Sequence, residues 1–196
     1  MNKGTKFCAM ALCAALMSGC ATGLTNQATT NSRSDVFRVA NGGTVQEGDS
    51  ELNISGSLKT HRNFEYPLNF PHSHGTADYR LILNIDGQSH VVSAQLKEET
   101  LVNYAPGDPE EGFGIRYLFR ERFHLPAGRH RIILSLPDDG IAVSREIDLD
   151  AGSVNSLVIG PDYNVNGSAR KTMVKRNSDF RAGIKGLRLT LNGAQL

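Results

Sequence analysis

Between Ile115 and Leu125 nearly every second residue is apolar. Ile115, Tyr117, Phe119, Phe123 and Leu125 share one parity, and Arg116, Leu118, Arg120, Arg122 and His124 the other. Successive side chains of an extended chain point to opposite sides, so a period of two marks a strand with one buried face. The pattern resumes after turn-forming residues. Pro126-Ala127-Gly128 leads into His130, Ile132, Leu134 and Leu136, and Pro137-Asp138-Asp139-Gly140 into Ile141, Val143, Ile147 and Leu149. Ala151-Gly152 precedes Val154, Leu157 and Ile159, and Leu187, Leu189 and Leu191 form a last strand. Upstream, Leu52, Ile54 and Leu58 alternate, residues 79–86 meet Val91-Val92 across Gly87-Gln88 as a hairpin, and residues 36–39 make a first strand before Asn41-Gly42-Gly43. No useful length has helical period. Strands with one apolar face need a second sheet to cover it. The expected fold is therefore all-β, an antiparallel β-sandwich of immunoglobulin- or transthyretin-like kind. With 196 residues, of which 39% are hydrophobic, the chain has apolar mass for one such core rather than two.

The turn at 137–140 sets a testable register. Pairing Leu136 with Ile141 places Arg131 opposite Glu146 and Arg129 opposite Asp148, two opposite-charge pairs contributing about 0.2–1 kcal/mol each. The same register turns Arg145 inward opposite Ile132. Pairing Leu125 with His130 would turn Glu121 inward too, and the two charges could then form a buried ion pair; a bulge turning one or both outward is the alternative. Alternation fails over residues 98–112, which read as a surface loop anchored by Leu101, Val102 and Tyr104.

The N-terminus has a different character. Lys3 and Lys6 precede an apolar run from Phe7 to Met17, the pattern of an export signal and too short to span a bilayer. The run ends in Met17-Ser18-Gly19-Cys20, which resembles the lipobox of bacterial lipoproteins, with Met17 where the family usually has Leu. The resemblance implies removal of residues 1–19, a lipid on Cys20 and anchorage in the cell envelope. Ala21, in place of the Asp that retains such proteins at the inner membrane, implies the outer membrane. Cys8 and Cys13 would leave with the signal, so no disulfide, thiolate ligand or cysteine nucleophile is expected in the mature chain. Residues 20–34, rich in Thr, Asn and Ser, read as a flexible tether, and residues 35–196 as the sandwich domain.

Candidate chemistry is sparse. His72 and His74 stand two apart, a spacing that puts both imidazoles on one side of an extended segment and within reach of one Zn or Cu ion. His61, His90, His124 or His130 could add a third ligand. Pro71 and Gly75 equally suit a solvated loop, and His130 suits a core position. Glu98-Glu99, Glu110-Glu111 and Asp138-Asp139 lie in or beside expected turns, where acids are normally solvated, and the Gly107–Gly112 stretch lacks calcium-loop spacing. Nucleophile-elbow, zincin, phosphate-loop and dinucleotide signatures are absent. Residues 161–196 carry a net charge of +5 and residues 20–160 a net of −6. Arg170, Lys171, Lys175 and Arg176 could contact anionic headgroups or wall polymers, or dock on the chain's own acidic remainder. A formal net charge of +1 gives no ground for nucleic-acid binding.

Residues 125–132, continuing to Ala151-Gly152, resemble a PEGA-type module, with Ala127 in place of the family's usual Glu. The resemblance implies a small envelope β-sandwich without catalysis. The expected function is thus a non-enzymatic envelope lipoprotein that engages a protein or polysaccharide. The alternative is a periplasmic metal-binding protein using His72 and His74.

Overall fold

A computed structural model describes residues 22–40, 42–62, 72–100, 108–164 and 180–196. The strands are β1 (Arg38–Val39), β2 (Asp49–Thr60), β3 (Leu81–Ile85), β4 (Gln88–Val92), β5 (Ala94–Glu99), β6 (Gly114–Pro126), β7 (Gly128–Leu136), β8 (Ile141–Leu149), β9 (Val154–Tyr163), β10 (Ile184–Leu191) and β11 (Ala194–Gln195). They build two sheets. The larger runs β1-β6-β2-β9-β10-β11, with β5 also on β6; the smaller runs β4-β3-β7-β8. All pairings are antiparallel except β2 with β9. Leu52, Ile54, Tyr117, Phe123 and Leu157 of the larger sheet share one buried cluster with Leu81, Leu83, Ile85, Ile132 and Leu134 of the smaller. The expected all-β sandwich is the fold.

The turn at 137–140 holds the register that charge pairing suggests, with Leu136 opposite Ile141, Arg131 opposite Glu146 and Arg129 opposite Asp148. The turn before it behaves differently. Leu125 pairs with Ser50 of β2, and β7 pairs with β3 and β8, so Pro126–Gly128 carries the chain from one sheet to the other instead of closing a hairpin. Glu121 and Arg145 consequently do not meet. Glu121 accepts the Ser93 N–H at 2.9 Å and faces His90 Nε2 at 3.0 Å, while Arg145, opposite Ile132 on edge strand β8, is exposed and donates to the Ser144 carbonyl. Two smaller expectations also change. The loop at 98–112 begins late, because Glu98 and Glu99 complete β5 against Ile115 and Gly114. In β9 it is Asn155, not Val154, that turns inward with Leu157 and Ile159.

The flexible tether expected over 20–34 is not what residues 22–34 form. Residues 22–29 are a helix, α1, lying on the outer face of the smaller sheet. Between inward Leu83 and Ile85, Asn84 points outward, and its Nδ2 donates to the carbonyls of Gln27 (3.1 Å) and Thr30 (3.0 Å). Ser89 Oγ donates to the Ala28 carbonyl at 2.7 Å, and Ala28 is fully buried. Side chains of the sheet thus bond carbonyls of the last helical turn, a contribution that composition alone does not reveal. Cys20 and Leu101, Val102 and Tyr104 lie outside the described residues. No helix among the described residues is long and apolar enough to cross a membrane.

Candidate metal centre

Three chain segments converge at one end of the sandwich. β2 finishes at Thr60 and hands on to His61; residues 72–79 lead into β3; and a 3-10 turn, Pro137–Asp139, follows β7. His61, His72 and His74 each present one ring nitrogen there, and the three nitrogens lie within 4.8 Å of one another. The ring centroids are 5.3 Å (His61–His72), 4.9 Å (His61–His74) and 5.9 Å (His72–His74) apart. His72 and His74 are therefore together, as their spacing suggested, and the third member is His61. The other candidates are occupied elsewhere: His90 on Glu121, His124 on Glu51 at 3.3 Å, and His130 between Asp86 (2.7 Å) and the Pro126 carbonyl (2.8 Å).

The segment carrying His72 and His74 is held at several points rather than solvated. The Gly75 N–H donates to Thr60 Oγ1 at 3.1 Å, and Ser73 Oγ donates to Asp138 Oδ2 at 2.6 Å. Thr76 closes a turn onto the Ser73 carbonyl, and Tyr117 OH donates to the Thr76 carbonyl at 2.7 Å. Gly75 has φ of 77°, a left-handed conformation that disfavours any side chain. Residues 73–76 are thereby tied to β2, β6 and the turn after β7.

A carboxylate faces one of the three imidazoles. His74 Nε2 lies 2.9 Å from Asp139 Oδ1, and Tyr79 OH donates to Asp139 Oδ2 at 2.5 Å. Burial, reinforced by the Asp139 charge, pushes the Tyr79 hydroxyl far above its ordinary range, so it stays protonated and donates. With the His74 proton on Nε2 toward Asp139, the lone pair would lie on Nδ1, the arrangement by which an outer carboxylate sets the tautomer of a histidine that holds a metal. Burial, then the neighbouring His74 and His72, lower the His61 pKa to about 4. Its ring is neutral at physiological pH and competes with no proton for an ion. Asp138 and Asp139, expected to be solvated turn acids, are thus parts of this centre.

A second polar cluster adjoins it. Lys59 is 2% exposed, with Nζ 2.8 Å from Glu99 and bonded to the carbonyls of Glu110 and Gly112. Arg116 binds Glu99 at 2.6 Å and also Glu110, which accepts from Tyr163 OH at 2.6 Å. The Arg116 guanidinium and then Lys59 hold the Glu99 carboxyl near pKa 2. A Cβ at Gly114 would come within 2.5 Å of the Thr60 carbonyl and 2.8 Å of Lys59 Cε, so a glycine is what lets Lys59 fold under β6. Glu99 and Glu110 are therefore not the solvated acids their positions suggested.

Three imidazoles at this separation suit a first-row transition ion. Zn–N bonds of about 2.0–2.1 Å in a tetrahedron put nitrogens roughly 3.3 Å apart. Sharing one ion would therefore draw the three nitrogens together from separations of up to 4.8 Å. Of the other expected contact residues, Arg170, Lys171, Lys175 and Arg176 lie outside the described residues. No known protein-family model, curated protein or solved structure matches the chain.

Proposed function

We propose that this protein is a metal-binding lipoprotein of the bacterial cell envelope, holding Zn²⁺ or Cu²⁺ on His61, His72 and His74. The convergence of three histidine nitrogens within 4.8 Å carries the reading. Asp139 behind His74 and the pinned backbone of residues 73–76 support it, because a site whose ligands are oriented beforehand loses little entropy on binding. Imidazole is a ligand common to both ions, and Cu²⁺ binds nitrogen sites more tightly than Zn²⁺ in general. The envelope address rests on the export signal and the Met17–Cys20 motif.

Thermal unfolding with added ion tests the metal reading. A ligand at about 100 times its Kd stabilises a fold by about 2.7 kcal/mol, a readily measured rise in Tm. Zn²⁺ or Cu²⁺ is expected to raise Tm, and His72→Ala/His74→Ala to abolish the rise; an unchanged rise in that variant would refute the site. Intact mass and detergent partitioning beside Cys20→Ser test the anchor. A structural or interaction module for an envelope protein or polysaccharide is the second reading. An open cleft of about 720 Å³ favours it, on the larger sheet, where Ser55–Ser57, Ser93–Gln95, Leu118 and the exposed Val158 meet.

A further inference from the structure

The outer face of the larger sheet bears a trough whose shape follows from the strand register. Leu52, Ile54 and Leu58 of β2 are buried in the core, so Ser55 and Ser57 point outward. Arg120 and Val158 pair with Ser55 on either side, and Leu118 pairs with Ser57 and, beyond it, with Gln95. Two short hydroxyl side chains thus lie between longer ones, and an open cleft of about 720 Å³ results. We infer that this cleft binds a polysaccharide bearing carboxylates, with Arg120 as the contact to a carboxylate. The inference rests on the second reading above, names the chemistry of its partner and is independent of the histidine centre.

Charge selects the guest. Arg116, Arg120 and Arg122 share the outer face of β6. Arg116 is taken up by Glu99 and Glu110, and Arg122 by Asn53 at 3.2 Å and Glu51 at 3.4 Å. Arg120 is exposed, and among the described residues its side chain enters no ion pair or hydrogen bond. It is also the one ionisable residue in the lining of the cleft. Glu121, its neighbour in sequence, points to the other side of the strand, where it meets Ser93 and His90. The cleft therefore carries a net positive charge, presented as a planar fork that matches the paired oxygens of a carboxylate.

The rest of the lining suits a sugar better than a protein. The Ser55 and Ser57 hydroxyls and the Gln95 amide offer donors and acceptors to ring hydroxyls. Leu118 and the exposed Val158 offer apolar surface to the C–H face of a ring. The centre of a protein–protein interface is enriched in aromatic side chains, whereas Phe119, the one aromatic residue of this lining, is buried in the core. A second cleft, of about 410 Å³, shares Ser55 and Arg120 and continues towards Asn53 and Arg122. Arg120 stands where the two clefts meet. A chain running through both passes its guanidinium, so the surface fits a polymer rather than a single sugar.

Titration calorimetry on the metal-free protein at low salt gives the test, with polygalacturonate as the acidic polymer and dextran as the neutral one. Polygalacturonate is expected to bind saturably, and dextran at least about tenfold more weakly. Arg120→Ala should weaken polygalacturonate about tenfold or more, the loss of one charge-assisted contact, and Arg120→Lys should recover part of that loss. Added salt should weaken the wild type more than Arg120→Ala. Zn²⁺ affinity should be the same in Arg120→Ala as in the wild type. Equal binding of the two polymers, or polygalacturonate binding unchanged in Arg120→Ala, would overturn the inference. Binding of neither polymer would overturn it as well, and would leave a protein as the partner in the second reading.

Discussion

The six histidines of this chain divide into two groups. His90, His124 and His130 sit on strands, each matched to one carboxylate: Glu121, Glu51 and Asp86. His61, His72 and His74 lie beyond strand ends and pack ring against ring, with Asp139 oriented on one of them. A histidine set on a strand beside one acid, with no second imidazole against it, serves packing and charge pairing. Three imidazoles facing one point offer a donor set that a single cation could share, and burial, then the neighbouring His74 and His72, lower the His61 pKa. The same residue type thus pairs with acids in one region and, on the proposed reading, would hold an ion in the other.

Substitutions should respect that division. The largest effect is expected from His61→Ala, which should weaken Zn²⁺ by more than about 100-fold, above the range for loss of an outer partner, whereas His90→Ala should leave affinity nearly unchanged. Titration calorimetry would show it, and comparable losses in both variants would erase the distinction. Asp139→Asn keeps the shape of the turn but loses the carboxylate on His74, so a 10- to 100-fold loss of affinity is expected with the fold intact. His130→Ala should behave in the opposite way, costing about 1–3 kcal/mol in denaturant unfolding because the pocket and Asp86 are left unfilled, with metal affinity untouched.

The two neighbouring polar clusters separate along the pH axis. Folded His61 titrates near 4 rather than at its ordinary 6.5. Between those values the unfolded chain holds the extra proton, so metal-free protein loses stability as pH falls from 6.5 to 4. Glu99 titrates near 2 rather than 4.5, so its contribution is present above 4.5 and disappears as pH falls towards 2. Unfolding curves across pH should show His61→Gln flattening the upper window and Glu99→Gln the lower. Loss of the same window in both variants would contradict the assignment. The smallest effect concerns α1. Asn84→Ala should speed amide exchange at Thr30 and its neighbours while exchange in β7 stays slow, since the Asn84 amide bonds the carbonyls of both Gln27 and Thr30 at the helix end.

Much of the sandwich was legible because alternation and charge are local. Arg131 and Arg129 face Glu146 and Asp148 as expected, since a short turn leaves one register that buries Ile132 and Leu134. Pro126–Gly128 looks like an equally good hairpin turn, yet it is a corner between sheets, and nothing in its residues distinguishes the two. The loss of the Glu121–Arg145 pair follows from that one error. His72 and His74 were visible as a spacing. His61 was one of four candidates, because only the strand order brings the end of β2 beside the segment entering β3. Asp139 belongs to a turn in the other sheet, and no sequence signal ties it to His74. The helix at 22–29 was missed because its stabilising groups, Asn84 and Ser89, lie on a distant hairpin.

The central claim, that His61, His72 and His74 bind one ion together, is most directly tested by X-ray absorption at the zinc edge on protein loaded with one equivalent of Zn²⁺. Three imidazole scatterers at about 2.0–2.1 Å with one further light atom are the expected shell. Fewer than three imidazoles, or a six-coordinate oxygen shell, would contradict it.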